Sequence, residues 1–254
     1  MGATWTTLKK ELASYLYSPI AYVIAVLFYL FRGFDVHGIT TVAGYYAAEK
    51  DAWSMQYMSG PSSAYMVVLV PPILTMRAFA EEKRTGSFET LMTAPVRDGQ
   101  VVLGKWLAAL SFYALLWLPT LLLMWVLTWP QFLATDFSFG PVVAGYVGFL
   151  LLGALLLAAG CFTSSLTDNQ LLASLTSMLF GTALLATPNM ARPYVGQDSP
   201  AWVRTLLEQV NVSDHLGNWF TRGLIDSGQV AFYLFGCAFF LFLTVQALGM
   251  RRWR

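Results

Sequence analysis

TMRAFAEEKRTGSFETLMTAPVRDGQVVLGK, residues 75–105, is the one densely charged stretch of a very apolar chain, and its reading decides the fold. It carries Arg77, Glu81, Glu82, Lys83, Arg84, Glu89, Arg97, Asp98 and Lys105, and long apolar runs leave it in both directions. Across all 254 residues, 57% are hydrophobic and 11% charged, against about 25% charged in a soluble domain. Most of the chain therefore does not face water. About 20 apolar residues cross a bilayer as a helix. The runs here are continuous rather than alternating, which counts against a β-barrel.

Working outward from that stretch, the apolar runs place spans at 20–34, 64–80, 106–128, 142–164, 171–187 and 230–249. The fold class expected is an all-α integral membrane protein, one domain over residues 1–254 with six transmembrane helices. Ahead of the spans, TWTTLKKELASYLY (4–17) sets Trp5, Leu8, Leu12, Tyr15 and Leu16 on one helical face, with Lys9 and Lys10 elsewhere. That pattern suits an interfacial helix lying in the headgroup region; the plainer alternative is an extension of the next helix. No cleavable leader is expected. Arg32, near the end of the first span, is expected to snorkel toward headgroups. Pro71 and Pro72 fall in the middle of the second span as a hinge or a static bend. Gly145, Gly148, Gly153 and Gly160 let the fourth span approach other helices closely, at the bundle centre or at a subunit interface. Gly153, Gly160 and Phe180 are the dimer or pathway candidates. Pro188 is expected to end the fifth span. Cys161 and Cys237 read as small buried hydrophobes.

Two longer segments lie between spans on the other side. Residues 35–63 are polar and aromatic, with short boundary helices expected over 41–57; Met55, Met58 and His37 there have no metal-ligand spacing. Residues 189–228 contain two short amphipathic helices, the first after Ser199-Pro200 and the second from about Ser213 to Gly223. His215 reads as a surface or packing residue, and Asp226 with Gln229 as a capping pair for the last span.

Six spans put both termini on one side. If that side is cytoplasmic, ten basic residues lie inside and five outside, namely Arg32, Lys50, Arg192, Arg204 and Arg222. The positive-inside rule then places both termini, and residues 75–105, in the cytoplasm. A net charge of +1 gives no reason to expect a nucleic-acid partner.

The chain shows no phosphate loop, no zinc spacing and no catalytic pairing around its two histidines. Its spans hold almost no carboxylates, which counts against a carrier coupled to protons or sodium. It is expected not to be an enzyme. Energy for any pumping would then come from elsewhere. Within residues 81–98, Gly86 and Pro95 bound a short helix over 87–93 that sets Phe88, Leu91 and Met92 on one face, an apolar knob of the kind that marks a partner site.

EEKRTGSFETLMTAPV (81–96) resembles the loop between the second and third spans of ABC-2 type permeases, and KKELASYLYSPIAYV (9–23) resembles the amphipathic start of the same family. TMRAFAEEK (75–83) and HLGNWFTRGLID (215–226) are most similar to the branch with gliding-motility GldF-type and copper-maturation NosY-type permeases. Ser87 stands where threonine is more usual in that loop. The resemblance implies a permease subunit of the bacterial inner membrane that dimerises with a copy or a relative. It implies two cytoplasmic ATPase subunits that carry the ATP and magnesium, with no cofactor or metal in this chain. The ATPase-coupling interface would be Glu81, Glu82, Arg84, Ser87, Phe88, Glu89, Leu91 and Met92, with Lys9 and Lys10 of the first helix, and Pro71-Pro72 as the hinge. Export driven by ATP is the function implied. The other reading is a membrane anchor whose ATPase drives a periplasmic machine through an accessory protein.

Overall fold

Backbone groups in lipid find no water, so an apolar run must satisfy them internally and becomes a helix. The computed structural model describes residues 2–46, 57–58, 61–86, 97–127, 139–195 and 200–251, and contains no strand among them. The helices are α1 (Gly2–Tyr17), α2 (Pro19–Tyr46), α3 (Pro61–Thr75), α4 (Ala80–Arg84), α5 (Asp98–Leu127), α6 (Phe139–Leu166), α7 (Gln170–Ala191), α8 (Ala201–Val210) and α9 (Ser227–Arg251). Six stretches are long and apolar enough to cross a membrane: Pro19–Gly38, Ser63–Arg84, Asp98–Val126, Gly140–Leu166, Gln170–Tyr194 and Ser227–Met250.

Four boundaries differ from expectation by four residues or more; one is that of the second span, expected to run to residue 80, whose helix α3 ends at Thr75. The first span does not stop at residue 34, because α2 runs on to Tyr46. Asp35 does not break it, since its carboxylate lies 2.8 Å from Arg32 Nη1 one turn back, and the two charges offset each other. Of the boundary helices expected over 41–57, residues 41–46 belong to α2 and 47–56 lie outside the described residues. The third long helix begins at Asp98 rather than 106, with Asp98 in the first turn and Gln100 Oε1 accepting from the Arg97 N–H at 3.2 Å, both favourable at a helix N-terminus. Pro188 lies inside α7 and does not end it. The carbonyl after the one that Pro188 leaves without an N–H, Leu185 O, accepts from Asn189 Nδ2 at 3.1 Å and from Ser213 Oγ at 3.3 Å.

The centre of the bundle is α6, against which α3, α5, α7 and α9 all pack. Lipid tails are as apolar as leucine, so close packing rather than water exclusion holds such helices together. Gly153 faces the Tyr113 ring of α5 and Gly160 faces Thr75 of α3, so both serve contacts within the protomer. A Cβ on Gly160 would lie 2.0 Å from Thr75 Oγ1 and 2.9 Å from Thr75 Cβ. Thr75 cannot swing aside freely, because its hydroxyl donates to Pro71 O at 2.8 Å. Gly160→Ala is therefore expected to lower stability by about 1–3 kcal/mol by forcing two helices apart. Gly33→Ala, where nothing stands within 4 Å, should be neutral or slightly stabilising. Unfolding of both variants in mixed micelles checks the contrast.

Trp117 of α5 is the hub of the core, stacked on Phe149 at 4.6 Å and 10° and edge-on to Phe28 at 5.1 Å. Arg32 lies beside it, with its guanidinium 5.5 Å from the Trp117 ring and 3.7 Å from the Tyr57 ring. It is 0% exposed and does not snorkel. Its Nη1 donates to Asp35, Ser63 Oγ and Tyr57 O, which fastens the start of α3 to α2.

Beyond α8 the chain returns to the bundle through Val212–Asp214, a π-helical turn His215–Trp219 and a 3-10 turn Phe220–Arg222, ended by Gly223 at φ 83°. Val212 and Phe220 are fully buried, so this segment re-enters the bundle. Asp226 caps α9 by accepting from the Gly228 N–H at 3.1 Å. Gln229 does not close the expected pair, since its Oε1 is buried without a partner.

Candidate functional site

The charged stretch and the N-terminal helix meet at the end of the bundle that carries α1, and Lys105 joins them. Its Nζ donates to Glu82 Oε1 of α4 at 2.7 Å, to Ala78 O at 2.7 Å and to Glu11 Oε1 of α1 at 3.1 Å. The side chain is 4% exposed, and the ammonium stands 5.3 Å from the Phe79 ring. A lysine has three donors, and all three have an acceptor here. One buried cation thus ties together α1, the chain leaving α3, and α5.

The chain turns at this point because α3 ends at Thr75 and residues 76–79 form turns. The helix is continuous through Pro71 and Pro72, so the break follows the prolines by one turn. Leu74 O, freed by that break, accepts from Tyr15 Oη of α1 at 2.9 Å. Burial, then the nearby Cys161 and Glu11, raises the Tyr15 phenol above its ordinary range, so it stays protonated and able to donate.

α4 has no capping side chain of its own. Ser164, at the end of α6, supplies the cap: its Oγ accepts from the N–H groups of Phe79 and Ala80, each at 3.1 Å. Lys83 Nζ donates to Ser165 O next door. Glu81 and Glu82 in the first turn and Lys83 and Arg84 in the last complement the helix dipole. Gly86, at φ 71°, closes the helix with the left-handed turn only glycine adopts cheaply. α4 is therefore held at a fixed place on the bundle.

α1 lies along α5 on a face that takes in Leu12 and Tyr15 of the expected apolar stripe and adds Thr7 and Glu11. Trp5 and Leu16 are exposed, while Thr7 approaches Gly104, Glu11 reaches Lys105 and Tyr15 stacks on Phe112 at 5.6 Å. Between α1 and α4 lies a cleft of about 340 Å³, lined by Lys10, Glu11, Arg77, Glu81, Glu82 and Lys105 among others.

The expected interface residues thus divide. Glu82 is internal, committed to Lys105. Glu81 makes a long pair with Arg77 at 3.8 Å, of a kind that contributes little. Arg84, Lys9 and Lys10 are exposed. Ser87, Phe88, Glu89, Leu91 and Met92 lie outside the described residues. Phe180 is part-buried on α7, edge-on to Phe240 at 5.1 Å. Lys105, Glu11 and Ser164 escaped sequence reasoning as a group, because the partners are 94, 85 and 23 residues apart. A lysine at the start of a span was the one signal available.

The arrangement can transmit force, since displacing α4 pulls on α1, α5 and α6 through charged and capped contacts. A family described as ABC-2 family transporter protein matches residues 34–245. Among curated proteins, none matches.

Proposed function

The chain belongs to the ABC-2 family of transporter proteins, and from that premise we propose that it is the permease subunit of an exporter driven by ATP hydrolysed on a separate subunit. The single observation that carries this reading is the Lys105 clamp. It makes α1, α4 and the start of α5 one mechanical body, and residues 87–96, where the ATPase would dock, follow α4 in the sequence. In this reading the ATPases, two copies with ATP and magnesium, sit on the cytoplasmic side of the inner membrane. Both termini share that side, in keeping with the excess of basic residues there. A second permease chain completes the transporter. Closure of the ATPases would push α4, and the break at 76–79 would pass the motion to α3 below Pro71-Pro72. This chain carries no catalysis of its own. Kinship with the gliding-motility and copper-maturation branch rests on the sequence of residues 75–83 and 215–226.

The apolar knob expected at Phe88 and the internal clamp have different expected phenotypes. Phe88→Ala should reduce co-purification of the native ATPase at least about tenfold, the usual loss for a central aromatic anchor, with the bundle's unfolding unchanged. Glu82→Arg should uncouple ATP hydrolysis and also weaken the bundle, because it sets a second cation against Lys105. Full ATPase recovery with Phe88→Ala would contradict the docking assignment. ATPase stimulation in the reconstituted complex by a periplasmic protein, and by no solute or lipid, would favour the anchor reading over export.

A further inference from the structure

At the end of the bundle opposite α1, a cavity of about 890 Å³ opens between α8, the re-entrant turn and the start of α9. That is within the range of about 300–1,000 Å³ for small-molecule sites. Its rim carries three carboxylates, Glu208, Asp214 and Asp226, and one cation, Arg192. Arg192 is spent on Asp214, which also accepts from Asn211 and Asn218, each at 3.1 Å. Among the described residues, the Asp226 carboxylate accepts only the helix-capping N–H of Gly228, and Glu208 makes no ion pair. The rim is therefore left with two carboxylates unmatched by a cation. His215, also on the rim, does not offset them. Burial holds its ring below the ordinary histidine pKa against the opposing pull of the Glu208 carbonyl, Asp214 and Asp226.

The wall below is apolar. Phe232, Phe235 and Phe239 recur at helical spacing down one face of α9, over residues that descend about 10 Å at the α-helical rise. Phe235 and Phe239 are 76% and 57% exposed on a spanning helix, so the cavity is open sideways to the acyl chains. Between rim and wall stands Gln229, which is 6% exposed, lines the cavity, and has a buried Oε1 with no hydrogen-bond partner. A buried acceptor left empty costs free energy unless a donor arrives.

We propose that this cavity binds a membrane amphiphile with an ammonium headgroup. The ammonium lies between Glu208 and Asp226 and donates to Gln229 Oε1, and the alkyl chain lies along Phe232, Phe235 and Phe239. An ammonium supplies positive charge and three donors in a compact head, which matches the two carboxylates left without a cation and the empty Gln229 acceptor. A sulfate or phosphate head would meet two carboxylates.

The test uses the full chain in phosphatidylcholine nanodiscs without ATPase, so its outcome is independent of the proposed transport. A diazirine-bearing dodecylamine is expected to cross-link to residues 228–239, and the matching dodecyl sulfate is not. Glu208→Gln with Asp226→Asn keeps the cap and the shape, and should weaken labelling about tenfold, the equivalent of one charge-assisted contact. Ala231→Trp, which fills the cavity from its wall, should abolish it. Competition by phosphatidylethanolamine in the nanodisc would assign the site to a bilayer lipid; competition only by soluble alkylamines would assign it to an exogenous amphiphile. Either supports the site. Equal labelling by the sulfate, or unchanged labelling of the carboxamide variant, would overturn it.

Discussion

Lys105→Met is expected to release α1 and α4 together. The substitution keeps most of the side chain's volume and removes the cation shared by Glu11 and Glu82. Removing one partner from a buried pair typically costs about 3–5 kcal/mol. The two carboxylates here are about a fifth exposed, so water relieves part of that, and about 2–4 kcal/mol is expected. Coupling should suffer more than stability, because the six spans pack through contacts that Lys105 does not make. ATP hydrolysis by the complex should continue while becoming insensitive to whatever the permease carries. Adding Glu11→Gln and Glu82→Gln should restore most of the stability, since no uncompensated charge remains, without restoring the coupling. Stability and coupling both at wild-type values in Lys105→Met would remove the clamp from the mechanism.

The second large effect is expected at the opposite end of the bundle. Arg32→Met takes the guanidinium away from Asp35, Ser63 and the Tyr57 carbonyl. Asp35 is 7% exposed, so a buried carboxylate loses its cation, at a cost of about 3–5 kcal/mol. Arg32→Met combined with Asp35→Asn should recover at least half of that, because a neutral pair leaves no buried charge. Arg32→Lys should fall between, since an ammonium keeps the charge and loses both the fork and the stacking on Tyr57. Unfolding in mixed micelles of the wild type, Arg32→Met, Asp35→Asn and the double variant gives the coupling energy directly. A loss under about 1 kcal/mol in Arg32→Met would mean that water reaches the site.

These two residues also mark the limit of what the sequence discloses. The six spans were legible because a long, continuous apolar run is stable as a helix in lipid and hard to accommodate in water. The cap of α4 by Gly86 was legible because glycine after a charged helix end has a local meaning. Arg32 misled because snorkelling is the common behaviour of an arginine near a span's end; its partner Asp35, one turn on, was the local hint that the helix continues. Lys105 was visible as a charge, but its role depends on Glu11 and Glu82, which only folding brings together. Proline misled at Pro188 for a related reason: Asn189 and Ser213 serve the Leu185 carbonyl nearby, and Ser213 arrives from a distant segment. Small residues on α6 announced close packing correctly. Whether the neighbour was this chain or another copy depended on Tyr113 and Thr75, which spacing alone cannot reveal.

The most direct test of ATPase docking beside the Lys105 clamp is site-specific photo-cross-linking in the intact complex. A benzophenone amino acid is placed at Phe88, which follows α4 in the sequence, or at Trp219 on the opposite end, and the chain is expressed with its native ATPase. The expected result is an ATPase adduct from position 88, strengthened when nucleotide closes the ATPases, and none from position 219. An adduct from 219, or none from 88 in a complex that still contains the ATPase, would contradict it.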